Sequence, residues 1–390
     1  MSPRLTIVMP LRGRNLFTLR FLYYANQLQM PYRFLIADGL VHPKLAEVLE
    51  NSRRHFSDLD IEYVRYPDDR EFADFFNKMA DALGRVTTPY AMIGDNDDFI
   101  MPAGVERAID FLESNPDFVG YSGRILGFSA YSGLSDPQRG LRGRLNRLYM
   151  CYPQRDASQA SASERFQNSM SGLWPYYAIM RTEALATVCR EIAELSFSDL
   201  QVHEAFHVLR VLTMGRVRHD GGVATLNRQY GTSLNASFKK DWIHHLVRSR
   251  LTQDIAALVS RVGDAAIVAG ADPATIREEL YAIMDGKFRQ MVKAAYGSMQ
   301  EVKHVARRRM PRLLQWYKNR PRLAVRAEER ALAAAMVHDG ASPSYVEIFH
   351  QEIAALRAIL SGTEFADFIR PFEAVFAAGE SSHRKASNLE

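Results

Sequence analysis

The chain has 390 residues, a formal charge of +4 and the apolar and charged fractions of an ordinary globular protein, so two or three domains with a sizeable core are affordable. The small net charge excludes nucleic acid as the default partner. The two cysteines, Cys151 and Cys189, have neither metal-ligand spacing nor the density of a disulfide framework, which fits a reducing, cytoplasmic setting. The apolar run at the N-terminus is too short for a signal peptide, and no uninterrupted apolar stretch is long enough to span a bilayer.

Leu5-Thr6-Ile7-Val8-Met9, ended by Pro10, reads as a strand. Residues 15–29 carry apolar side chains at helical spacing. Tyr32–Ala37 is a second strand stopped at Asp38-Gly39, and residues 43–55 a helix with Pro43 in its first turn. Ile61–Tyr66 is a third strand, residues 71–84 a helix, and Tyr90–Ile93 a fourth strand. Strands alternating with helices predict a mostly parallel α/β sheet with helices on both faces. Ligands of such sheets bind beyond the carboxyl ends of the strands, where Arg12, Arg14, Asp38 and Asp95 to Asp98 fall.

The run Gly94-Asp95-Asn96-Asp97-Asp98 concentrates three carboxylates at the end of the fourth strand. Like charges so close repel and raise one another's pKa unless a cation is present. Hard oxygen ligands suit Mg or Mn carrying phosphate. The plainer alternative is an acidic turn that caps the next helix.

Further along, residues 129–165 are rich in Ser, Gly, Gln and Arg and predict a long loop or lid with a solvated basic surface. Residues 199–214 form an apolar-rich helix containing His203, Glu204 and His207. An acid in such a helix is costly unless it is paired or functional, whereas the histidines read more simply as satisfied core residues. Beyond residue 240 the pattern is almost wholly helical. The expected division is a catalytic domain over 1–238, a helical domain over 239–380 and a disordered tail over 381–390. Residues 302–326 contain no acid and interleave Arg and Lys with Leu, Trp and Tyr. That segment suits peripheral contact with the inner face of a membrane, or simply the basic outer face of a packed helix pair.

Three segments together, RLTIVMPLRGR, the strand ending IADG, and NKMADALGRVTTPYAMIGDNDDF, resemble the nucleotide-sugar-binding half of GT-A fold glycosyltransferases, particularly family 2-like inverting enzymes. The resemblance covers roughly residues 4–235. It implies that Arg12, Arg14 and Asp38 hold the base, ribose or phosphate of a nucleotide-diphosphate sugar donor. It places Asp95 near the ribose and assigns Asp97, with Asp95, to Mg or Mn bridging the diphosphate; Asp98 stays unassigned. Glu204 stands where the family's catalytic base stands, although the pair here is His203-Glu204 rather than Glu-Asp, with Arg210 six residues on. Arg228 occupies a donor-binding place, and Tyr230 stands where the family commonly has His. Trp174–Tyr177 lies in the part that meets the acceptor, which would be a glycan, a lipid-linked glycan or a protein side chain. A sugar nucleotidyltransferase and a non-catalytic nucleotide-sugar-binding scaffold are the rival readings. Leu11–Asn15 lacks the glycine-rich phosphate loop expected of the former.

Overall fold

The computed structural model describes residues 3–131, 141–150, 156–169, 175–228, 250–296, 325–338 and 341–386. Its N-terminal half follows the predicted alternation: β1 (Leu5–Leu11), α1 (Asn15–Gln27), β2 (Arg33–Asp38), α2 (Pro43–Glu50), β3 (Asp60–Arg65), α3 (Phe72–Gly84) and β4 (Tyr90–Ile93). These four strands pair in parallel in the order β3-β2-β1-β4. β1 and β4 are buried almost throughout, as expected of strands covered on both faces. β1 runs one residue past Pro10, and its last residue, Leu11, lies opposite Asp38.

The second half of the sheet is mixed. It comprises β5 (Phe99–Ile100), β6 (Phe118–Tyr131), β7 (Arg144–Met150), β8 (Ile179–Arg181) and β9 (Arg216–Arg228), with α4 (Pro102–Ser114), α5 (Ala162–Ser169), α6 (Thr182–Leu195) and α7 (Leu200–Met214). β8 joins the halves by antiparallel pairing with both β4 and β6. β9 runs parallel to β6 and antiparallel to β5. The segment predicted as a long loop or lid is therefore partly regular. Residues 144–150 form an edge strand against β6, and residues 162–169 form α5. The arginines there obscured the strand: Arg142 pairs with Glu373, and Arg147 covers the ring of Tyr149.

The C-terminal helices α8 (Leu251–Val268), α9 (Ile276–Tyr296), α10 (Val325–His338), α11 (Pro343–Ser361) and α12 (Thr363–Ala386) lie on both sides of the sheet. Leu258, Val262, Leu280 and Met284 join the apolar cluster that α3, α6 and α7 form with the sheet. Phe349, Ile353, Phe365, Ile369 and Phe376 join the opposite cluster, under α1, α2 and α4. Phe365 and Phe368 of α12 pack on Tyr23 of α1. Among the described residues no helix is long and apolar enough to cross a membrane. The basic segment 302–324 and residues 387–390 lie outside the described residues, as do Trp174 and Tyr230, whereas residues 381–386, expected as part of a disordered tail, belong to α12.

A polar contact, besides its apolar packing, joins α11 to the site-bearing half. Met101, at the N-cap of α4, contributes no side-chain cap, and the carboxylate of Glu352 accepts from the N–H of Ala103 at 2.8 Å instead. The carboxylate thus satisfies a helix-start donor from a distant part of the chain. Burial pushes Glu352 up to about 7, opposed by the hydrogen bond from Ala103. The folded state therefore retains a proton that the unfolded chain releases above its ordinary value of 4.5. This contribution to stability is full below that value and is lost as pH rises through about 7, a loss on the order of 3 kcal/mol. Glu352→Gln keeps an acceptor for Ala103 but has no proton to lose. Urea denaturation at about pH 5 and about pH 8 should show a smaller fall in stability for the variant than for the wild type.

Candidate active site

The site is built at the carboxyl ends of β1, β2 and β4. Gly94, which follows β4, donates its N–H to Val8 of β1 and leaves room for the Ile7 and Ile100 side chains. The chain then turns, with the N–H of Asp98 donating to the Asp95 carbonyl, and β5 begins at Phe99. Asn96, Asp97 and Asp98 are all more than nine-tenths buried. Burying so much polar and charged surface is costly unless each group finds a partner.

The partners come mainly from the connection between β1 and α1. Gly13 and Arg14 both have left-handed backbones, with φ of 79° and 56°, which turns their carbonyls toward the acidic loop. Asn96 donates through Nδ2 to the Gly13 and Arg14 carbonyls, at 3.2 and 3.3 Å, and to Thr18 Oγ1 at 2.9 Å. Nη1 of Arg14 donates to Asp97 Oδ2 at 2.7 Å. Arg20 is fully buried and donates to the Asp97 carbonyl. Its guanidinium lies over the rings of Phe99, Phe17 and Phe128 at 4.4, 4.9 and 5.7 Å, a cation–π seat in an apolar setting. Sequence reasoning missed Arg20 because an arginine in an amphipathic helix reads as solvent-facing. Its neighbours Phe17 and Thr18, three and two positions away in that helix, were the available hint.

Asp95 accepts from the Tyr177 hydroxyl at 2.7 Å. Its pKa is raised by burial and by the charge of Asp97, against the Tyr177 hydrogen bond and Arg14. The Tyr176 and Tyr177 phenols are pushed up by burial and then by the charge of Asp95. Tyr177 binds Asp95 and Tyr176 packs on His207 of α7, ring centroids 6.0 Å apart, so the tyrosine pair links the acidic loop to α7. α7 starts at Asp199, whose carboxylate caps the N–H groups of Gln201 and Val202. Glu204 stands on the second turn, with Lys287 Nζ of α9 at 4.0 Å from its carboxylate. Burial holds Lys287 below its ordinary pKa, opposed by Glu204 and Asp199.

His203 stacks on Phe76 at 4.0 Å and engages the Phe197 carbonyl, and burial lowers it to about 3. Burial lowers His207 to about 4. Both are buried in the core as the plainer reading of the sequence expects, but His207 Nε2 has no hydrogen-bond partner among the described residues, so this histidine is not a satisfied one. Arg210 is committed to Glu191 of α6, at 2.7 and 2.9 Å, and so is occupied away from the acidic loop.

At the β2 end, both oxygens of Asp38 are engaged. Oδ1 accepts from the N–H groups of Leu40 and Val41 at 3.1 Å each, and Oδ2 from the Tyr63 hydroxyl at 2.8 Å. Each carboxylate oxygen retains further acceptor capacity. Beside it lies a buried ion pair that the sequence did not reveal, Lys78 with Asp69. Lys78 also donates to the Leu11 carbonyl at 3.1 Å, and Asp69 fills the space against Gly39 where any larger residue would collide. Asp69 Oδ1 has no donor among the described residues. Arg12 is exposed and donates to the Arg70 carbonyl. The two arginines therefore diverge: Arg12 toward this end, Arg14 toward the acidic loop. Arg228 ends β9, two residues beyond Leu226, which pairs with Phe99 directly after the acidic run.

Among the described residues no group of three or more His, Cys, Asp or Glu is arranged to hold a metal ion alone. Asp95 and Asp97 are the two carboxylates that would hold a hard cation here. Asp95 and Asp97 crowd negative charge, and Mg or Mn commonly take one or two carboxylates and complete their shells with phosphate and water.

The chain is similar to solved structures of S. aureus TarS 1–349. The complex with UDP has a TM-score of 0.48 and 12% identity, over 91% of this chain and 90% of that one. The complex with UDP-GlcNAc has a TM-score of 0.47 and 11% identity, over 76% and 77%. The mannosyltransferase PcManGT from Pyrobaculum calidifontis, in complex with GDP-Man and Mn2+, has a TM-score of 0.39 and 14% identity, over 87% and 89%. Likenesses at this level carry no weight for function, which rests on the chain's own geometry. No family model and no curated protein match the chain.

Asn96→Ala removes the amide that holds three acceptors of the β1–α1 connection. It should destabilise the protein by about 1–3 kcal/mol in urea denaturation.

Proposed function

We propose that this protein is a glycosyltransferase that moves a sugar from a nucleotide-diphosphate donor to an acceptor hydroxyl, with inversion. The observation that carries the proposal is the meeting at one sheet edge of a buried acidic loop with the Arg14 guanidinium and with Tyr177, whose neighbour Tyr176 packs on α7, the helix that bears Glu204. The donor complexes of the solved structures above are of the same chemical class, although the proposal does not depend on them.

The nucleoside lies across the ends of β1 and β2, with its base toward Asp38 and Asp69 and its ribose toward Asp95. Arg12 and Arg228 flank the donor, and Arg14 serves its diphosphate, since planar guanidinium donors suit phosphate oxygens. Asp97 and Asp95 would hold Mg or Mn, which when bound neutralises charge on the leaving diphosphate. Glu204 accepts the acceptor's hydroxyl proton as that oxygen bonds to the anomeric carbon and the bond to the diphosphate breaks. Tyr177 holds Asp95 in place through its hydroxyl. Lys287 Nζ stands 4.0 Å from the Glu204 carboxylate and helps to fix its position on α7. The acceptor is a glycan, a lipid-linked glycan or a protein side chain, and contact with the inner membrane face through residues 302–326 belongs to the same proposal.

The experiment is a screen of nucleoside diphosphates and nucleotide-sugars, with and without Mn, read first as a thermal shift and then as transfer or donor hydrolysis. A cognate nucleotide should raise the melting temperature. Glu204→Gln should retain donor binding and lose about 10²–10⁴-fold in transfer rate. Asp97→Asn should lose the Mn-dependent part of donor binding. Release of pyrophosphate from a nucleoside triphosphate would instead identify a nucleotidyltransferase. Full transfer activity in both variants would refute the site.

A further inference from the structure

The acidic loop already carries a cation. Arg14 Nη1 lies 2.7 Å from Asp97 Oδ2, and the Asp97 side chain is only 10% exposed. An ammonium or guanidinium at that distance offsets the charge a divalent ion would neutralise, and it takes a lone-pair direction that ion would use. The backbone beneath Arg14 is held tightly. Its φ of 56° is unusual for a residue with a side chain, and the Asn96 amide secures its carbonyl. The side chain is less confined, at 31% exposed, against full burial for the neighbouring Arg20. A fixed backbone beneath a solvent-reachable guanidinium is the geometry of a group that can meet an incoming anion by side-chain rotation.

We propose that Arg14 is the resident counter-ion of the acidic loop: it occupies Asp97 in the nucleotide-free protein and transfers to the donor's diphosphate when nucleotide binds, releasing Asp97 to the divalent metal. The inference rests on the donor-site reading above and deepens it by making metal and nucleotide binding mutually dependent. Without nucleotide, a metal ion at Asp97 must either displace the guanidinium 2.7 Å from Oδ2 or bind beside its like charge. With nucleotide, the diphosphate provides the guanidinium with new acceptors and the metal with new oxygens. Linkage then requires that the factor by which nucleotide tightens metal binding equal the factor by which metal tightens nucleotide binding. Arg20 takes no part in the exchange. It is enclosed by three aromatic rings and donates to the Asp97 backbone, so it supports the loop whichever cation is present.

The test is Mn(II) binding to the full chain, followed by electron paramagnetic resonance, with and without each of UDP, GDP, ADP, CDP and dTDP. The proteins are wild type, Arg14→Gln and Arg14→Lys, each checked for folding by circular dichroism and melting temperature. In the wild type, Mn should bind weakly alone and at least about tenfold more tightly with the cognate nucleotide. Arg14→Gln should bind Mn about tenfold more tightly than wild type without nucleotide, and its nucleotide enhancement should shrink correspondingly. Arg14→Lys retains the positive charge and should stay close to the wild type in both measures. If Arg14→Gln binds Mn no more tightly than wild type without nucleotide, the exchange is refuted while the donor site stands, provided a nucleotide still raises the melting temperature. If no nucleotide alters either Mn binding or melting temperature in the wild type, the donor-site reading fails and the exchange fails with it.

Discussion

Compensation of the charge buried at the end of β4 governs much of this molecule. Asn96, Asp97 and Asp98 are almost wholly enclosed, and Asp95 is raised in pKa by its surroundings. A loop of this charge stays folded because it is tied on two sides. The β1–α1 connection supplies the Gly13 and Arg14 carbonyls to Asn96 and the Arg14 guanidinium to Asp97. The segment before β8 supplies the Tyr177 hydroxyl to Asp95. Both supports need strands in register: Val8 of β1 must lie opposite Ile93, and β8 must pair with β4.

That requirement gives the helical half of the chain a physical role. α4 begins three residues after Asp98 has led into β5, and its first turn is capped by Glu352 from α11. α7, which carries Glu204, is anchored through the segment before it, where Asp254 of α8 accepts from Ser198 at 2.6 and 2.8 Å. Lys287 of α9 faces Glu204 itself. The helices beyond residue 250 thus support the site from both faces of the sheet while adding to both apolar clusters. Two kinds of polar residue occur among them: those buried to hold one element against another, such as Asp254 and Glu329, and those directed toward the site, such as Lys287.

The parallel half of the fold was legible from its residues. Short β-branched runs separated by amphipathic stretches dictate strand and helix, because period and burial are local properties. The placement of Asp38 and the acidic run along one sheet edge followed from the same pattern, since acids at the carboxyl ends of parallel strands must lie on one edge. The mixed half was less legible. Residues 144–150 set Arg144, Asn146 and Arg147 among apolar residues, and arginine stems that cover rings look identical in sequence to solvated ones.

The sequence by itself determined the order of the first four strands' elements, the concentration of carboxylates after β4 and the presence of an acid in α7. Each of these depends on neighbours along the chain. Only the tertiary structure decided which charges answer those carboxylates. Arg14 and Arg12 are separated by a single glycine, yet the left-handed turn at Gly13 and Arg14 directs one toward Asp97 and leaves the other by Arg70. Arg20, Lys78 and Asp69 became part of the account only when helix packing buried them, because desolvation and pairing are properties of the assembled interior.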